Sequence, residues 1–274
     1  MDDRMLDSLH LEVTLKPMIA LGASQPFAWQ AVATASRGRS FSAAAAALPP
    51  ELRISLEARR ITLAVERAVA AGLLRSDALL AVPVGAAGGK TEPLLSHLFR
   101  TALAHRFPVD RLVVEVSADE RGDRDSAAAL IKACMARGLS VALDAFAAGP
   151  VALNLLARFT PRFVKLDGTL VRRIDASASR RPIVEGVMRL ARGMGVTVVA
   201  TGVETRGELE ALAALGLCHV QGDWTAEPAV RTLTNPALLR REPRATVPQH
   251  RRLAHHHRAS LPLRTTCQVA QLAL

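Results

Sequence analysis

The chain has 274 residues, half of them apolar, and a formal charge of +10 from 35 Lys and Arg against 25 Asp and Glu. That length and apolar content exclude a disordered or fibrous chain and suit one large domain or two small ones. Three unevenly spaced cysteines (Cys134, Cys218, Cys267) fit neither a disulfide framework nor a zinc site, the MDDRM start is no secretory signal, and no apolar run approaches the roughly 20 residues of a membrane-spanning helix. These features predict a cytoplasmic protein.

In chain order, residues 11–21 and 27–32 read as two strands joined by a Gly-Ala-Ser-Gln-Pro turn. An alanine run at 43–47 and Pro49-Pro50 precede a long helix expected from Glu51 to Leu74. Six β-branched apolar runs follow, at 79–84, 111–117, 140–146, 162–168, 197–203 and 217–222. Helices are expected between them: Glu92 to His105, Asp125 to Arg137 closed by Gly138, Ala152 to Arg158, Pro182 to Arg192, and Arg206 to Leu215 closed by Gly216. Near-continuous apolar strands that alternate with helices indicate parallel βα units. Eight strands over residues 1–238 suit a (β/α)₈ TIM-like barrel with irregular first strands, and an open doubly wound sheet is the alternative.

The charge is unevenly spread. Residues 239–274 hold seven arginines and one acid, which is +6 of the +10, together with three prolines and half of the histidines. That segment reads as a disordered tail able to contact an acidic partner, nucleic acid or anionic lipid. His255, His256 and His257 lie in it without the fixed geometry a metal site needs. The rest of the chain is near balance, and only nine aromatics serve the whole sequence, which argues against stacking platforms for single-stranded nucleic acid.

In either fold, ligands meet the carboxyl ends of the strands. Glu115, Asp144, Lys165 with Asp167, Thr201 followed by Glu204, and Gln221 stand at such ends on successive strands. Any one of them alone suits a helix cap or an ion pair; their recurrence points to a shared pocket. The segment VGAAGGKT (84–91) looks like a phosphate loop, but Val84 stands where the pattern needs glycine, and Glu92 opens the following helix with a negative charge.

The order of ALDAFAAGPVALNLLARFTPRFVKLDGTLVRRI (142–174), VVATGVET (198–205) and HVQGDW (219–224) resembles the EAL-domain family, the bacterial cyclic di-GMP phosphodiesterases. The resemblance runs from about Leu11 to Pro228 and is stronger in the second half. It implies a (β/α)₈ barrel with atypically directed first strands, in which two divalent cations held by acidic residues activate a water against a phosphodiester. No sensor or cyclase domain is expected ahead of residue 11.

The resemblance assigns roles residue by residue. Gln30 stands at the signature glutamate, Thr34 at a phosphate-binding arginine and Pro83 at a metal-ligating asparagine. Glu115 and Asp144 keep metal-ligand positions. Ala118, Ala145 and Thr201 replace further acids. Lys165 and Glu204 are vestigial catalytic positions, and Gln30, Glu115, Asp144, Lys165, Asp167 and Gln221 would line the ligand pocket. Two divalent cations would bring more positive charge than Glu115 and Asp144, already beside Lys165, can balance at low dielectric.

The expectation is therefore a degenerate EAL-domain protein of cyclic di-GMP signalling, without metal cofactor or phosphodiesterase activity, acting as a regulatory module on a protein partner. The alternatives are a non-hydrolysing cyclic di-GMP receptor and a residually active phosphodiesterase using Mg²⁺ or Mn²⁺. A homodimer formed near the loop from Asp144 to Gly149 is a further expectation from the family.

Overall fold

A computed structural model describes residues 9–85, 91–119 and 122–223, without the side chain of Arg37. The expectations for the tail at 239–274, for His255 to His257 and Cys267, and for most of the glycine-rich loop lie outside these residues.

Strands β1 (Glu12–Ala20) and β2 (Ala28–Ala35) form an antiparallel pair, followed by the two-residue β3 (Arg39–Ser40). Helices α1 (Phe41–Ala46) and α2 (Pro50–Ala70) come next. Regular alternation then takes over: β4 (Leu79–Pro83), α3 (Thr91–Ala104), β5 (Leu112–Ser117), α4 (Arg124–Ala136), β6 (Ser140–Phe146) and α5 (Pro150–Arg158). The last units are β7 (Phe163–Leu166), the one-turn α6 (Gly168–Val171), α7 (Arg180–Gly193), β8 (Thr197–Thr201), α8 (Arg206–Ala214) and β9 (His219–Gln221).

The strand order β1-β9-β8-β7-β6-β5-β4-β2 closes on itself through the β1–β2 pairing, so eight strands make a barrel and β3 hangs on the end of β2. Seven of the eight run parallel; β1 runs against both neighbours. This is the expected (β/α)₈ barrel, and the reversal of β1 is its irregular beginning. A reversed strand can follow its neighbour through a short turn, whereas parallel neighbours need a crossover helix.

Local differences from the sequence reading have plain causes. The long helix ends at Ala70 rather than Leu74 because Gly72 adopts φ +84, a left-handed conformation that stops a helix at little cost, and Leu73–Arg75 continues as a 3₁₀ turn. The alanine run is helical because the Ser40 hydroxyl accepts from Ala43 N and caps it. Inside the barrel, Met18, Ala28, Leu79, Ala81, Val113, Ala142, Phe163 and Val199 pack as an apolar plug. A larger apolar shell lies between strands and helices. Among the described residues no helix is long and apolar enough to cross a membrane.

Candidate functional site

The plug leaves the carboxyl ends of the parallel strands open, and five polar side chains from five strands meet there. Glu115 on β5 and Lys165 on β7 are almost fully buried, at 2 % and 1 % exposure. Two charges at that depth are tolerable only as hydrogen-bonded partners. Lys165 Nζ donates to Glu115 Oε1 at 2.7 Å and lies 3.2 Å from Asp144 Oδ1 on β6. The other carboxylate oxygen, Glu115 Oε2, accepts from the Gln30 amide on β2 at 2.6 Å. Gln30 Oε1 in turn accepts from the Gln221 amide on β9 at 3.0 Å. A continuous chain Gln221–Gln30–Glu115–Lys165–Asp144 thus crosses the mouth.

Burial pushes the Glu115 carboxyl above its ordinary range, with Lys165 opposing and Asp144 adding to the rise. Burial pulls the Lys165 ammonium down, but Glu115 and Asp144 together carry it above its ordinary value. Lysine therefore remains the cation of the cluster throughout the neutral range. Beneath the pair, a cavity of about 10 Å³ is lined by the apolar plug, at the lower limit for a single water, so a ligand must approach from the mouth.

The remaining candidate residues stand apart from this chain. Asp167 caps α6, its Oδ1 accepting from Thr169 N at 2.8 Å. The Thr201 hydroxyl donates to Leu166 O at 2.6 Å. Glu204 pairs with Arg172 at 2.9 Å on the exposed rim. Pro83 lies opposite Glu115 in the β4–β5 register, Thr34 opposite Glu12 and Ser40, and Ala118 is buried with its N–H on Asp144 O. Ala145 follows Asp144 at an irregularity in the β6–β7 pairing and has φ +54, a left-handed conformation unusual for alanine. The thiol of Cys134 is buried and pushed up to about 12 by that burial, which makes it inert.

Two contributors went unnamed in the sequence reading. Glu208 holds the loop that carries Glu204: Oε1 accepts from Arg173 N, and Oε2 accepts from Glu204 N and Thr205 N. Its pattern was present, since Thr205-x-x-Glu208 spells a capping box. The other is Lys16. Because β1 is reversed, Lys16 is the direct register partner of Gln30. Opposed residues of an antiparallel pair share a face, so its exposed side chain shares the mouth with Gln30. Gly222, after β9, has no room for a side chain, because a Cβ there would overlap the Val203 backbone.

The sequence matches the family model of the EAL domain over residues 3–228. The blue light- and temperature-regulated antirepressor BluF of Escherichia coli is 32% identical over 134 residues, covering 48% of this chain and 33% of BluF. The probable cyclic di-GMP phosphodiesterase PdeN of the same organism is 28% identical over 134 residues, covering 49% of this chain and 25% of PdeN. The matches thus span about a third or less of these relatives. Among solved structures, Klebsiella pneumoniae BlrP1 in a manganese and cyclic di-GMP complex has a TM-score of 0.70 at 27% identity, covering 79% of this chain and 55% of that one. A standalone EAL protein of Vibrio cholerae shares the fold, with a TM-score of 0.68 at 22% identity and coverage of 78% and 90%. Divalent ions beside the dinucleotide are thus a feature of the family. On the barrel with its reversed β1 and the matched residues, this chain belongs to the EAL-domain family.

Proposed function

We propose that this chain is a degenerate EAL barrel that serves cyclic di-GMP signalling without hydrolysing the dinucleotide, as a regulatory module that docks on a protein partner. The observation that carries the reading is Gln30. At the signature position an amide replaces an acid, and it bonds to Glu115 directly, at the short distance that two carboxylates could share only around a proton or a cation.

The donor set fits a metal pair poorly. Both oxygens of Glu115 are engaged by Gln30 and Lys165, and Asp144 faces the same ammonium. Pro83 and Ala145 offer no side-chain ligand. Among the described residues no group of three or more His, Cys, Asp or Glu side chains is arranged to hold an ion. These residues therefore do not support hydrolysis through a metal pair, and Lys165 and Glu204 act in structure rather than in chemistry. Support for a regulatory role comes from BluF, a relative named for antirepressor activity. The barrel of residues 1–238 is the docking body in this reading, and the tail at 239–274, with +6 of the formal charge, offers an acidic partner a second contact.

Incubation of the full chain with labelled cyclic di-GMP and excess Mg²⁺ or Mn²⁺ tests the proposal. No linear product above the protein-free rate is expected; turnover like that of an intact EAL phosphodiesterase would overturn it.

A further inference from the structure

Helix α7, on the outer wall of the barrel, is the one described helix that leaves two large apolar side chains in solvent. It buries Val184, Val187 and Ala191 and exposes Ile183 and Leu190, at 44 % and 43 %. The other exposed large apolar residues, Leu74, Leu103, Met135 and Leu153, stand one to an element, and single ones are ordinary on a protein surface.

Gly186 and Gly193 complete the stripe. The order Ile183, Gly186, Leu190, Gly193 has spacings of three, four and three, the seam of a helix that packs along another helix. The fold itself does not ask for either glycine: neither has a positive φ, and a Cβ at either would meet nothing within 4 Å. Gly186 stands in the helix interior, where glycine is less stable than alanine. Two apolar knobs alternating with two gaps admit the close approach of a second helix.

Charge selects the occupant. The helix holds four arginines against one acid, Glu185. Arg180 and Arg181 turn to the backbone carbonyls of Arg172, Ile174 and Asp175. Arg189 and Arg192 are exposed and have no carboxylate partner among the described residues. A second copy of this helix would set a net positive face against its like, which opposes pairing. An anionic lipid surface suits the arginines, but two apolar side chains are a small part of the apolar face that an interfacial helix inserts. An acidic amphipathic helix satisfies the gaps and the charges together.

We propose that the Ile183–Gly186–Leu190–Gly193 face of α7 is the docking surface for the protein partner, and that the partner presents an amphipathic helix of about three turns edged with acidic residues. The proposal rests on the regulatory reading above and gives it a surface and a partner chemistry. The partner's apolar side chains fill the gaps over Gly186 and Gly193, and its carboxylates meet Arg189 and Arg192.

The test uses two stapled helical peptides with the same leucine stripe, one edged with glutamates and one with lysines, titrated against the full chain by fluorescence anisotropy. The glutamate peptide is expected to bind at least about tenfold more tightly than the lysine peptide. Gly186→Leu fills the gap and is also the better helix former, so the melting temperature is not expected to fall. It is expected to weaken the glutamate peptide about tenfold, and Arg189→Glu with Arg192→Glu to reverse the preference between the peptides. Absence of binding by the unaltered chain overturns the proposal. Equal affinity in Gly186→Leu, as attraction to the arginines of 239–274 alone would give, overturns it as well. A dimer of the full chain in sedimentation that Gly186→Leu disperses gives the face to a second copy, and flotation with anionic vesicles that the same variant loses gives it to lipid; both overturn it. Each of these outcomes leaves the non-hydrolytic reading standing, because that reading falls only to turnover with Mg²⁺ or Mn²⁺.

Discussion

The side-chain amide of Gln30 donates to Glu115 Oε2 at 2.6 Å while its carbonyl oxygen accepts from Gln221 at 3.0 Å. An amide is the one side-chain type of this shape that can do both, since a carboxylate in its place could only accept. Gln30→Glu therefore sets two acids against each other at a buried carboxylate. A loss of about 1–3 kcal/mol is expected at neutral pH, recovered as the solution is acidified and one of the two takes a proton. Urea unfolding of both proteins across the acidic to neutral range checks this, and a loss independent of pH would contradict it.

Lys165 is the hub of the cluster, and its removal leaves Glu115 buried beside Asp144 without a counter-charge. Lys165→Met is expected to cost about 3–5 kcal/mol at neutral pH, the usual effect of breaking a buried pair from one side. The folded-state value of Lys165 is raised, so its contribution is complete below the ordinary lysine value of 10.5 and is lost as pH climbs through the folded value. Unfolding free energies of the wild type should accordingly fall in strong alkali, with that limb absent from the variant.

His219 titrates in the opposite sense. It is buried on β9 with its ring edge-on to Phe27 at 5.1 Å, and burial lowers its value below 6.5. Stability linked to it is complete above the unfolded value and is lost as pH falls through the lowered folded value. His219→Leu should flatten the part of the acid limb just below pH 6.5 in a melting series. An unchanged acid limb would show that the ring takes its proton without cost.

Ala145 holds φ +54 where β6 passes its irregularity. Glycine reaches that region freely, whereas alanine pays roughly 1–2 kcal/mol, offset in part by the entropy glycine gains on unfolding. Ala145→Gly is expected to raise the unfolding free energy by several tenths up to about 1 kcal/mol. Denaturant titration reads the sign directly, and a destabilised glycine variant would indicate that the alanine methyl packs usefully.

The barrel was legible in the sequence because its signal is local and repeated. Runs such as LVVEVS and TVVAT carry consecutive apolar residues that face both ways, as strands covered on both faces need, and glycines close the helices between them. Glu115, Asp144, Lys165 and Gln221 were legible for a similar reason: each lies in the carboxyl half of such a run, and those strand ends converge in this fold. The bonds among them were not, since the pairing of Gln30 with Glu115 links residues 85 positions apart, on strands with β4 between them. Lys16 stayed hidden because its place at the mouth follows from the β1–β2 register, which no composition or period in residues 11–21 reveals. Asp167 and Glu204 show the reverse case, where a polar residue at a strand end serves a helix cap or a rim ion pair.

The central claim, that the amide–carboxylate–ammonium chain takes the place of a metal pair, is tested most directly by titrating Mn²⁺ into the full chain with cyclic di-GMP present and following the free-ion signal by electron paramagnetic resonance. The account predicts no saturable uptake by the mouth and the same result for Glu115→Gln. Stoichiometric uptake of Mn²⁺ that Glu115→Gln abolishes would contradict it.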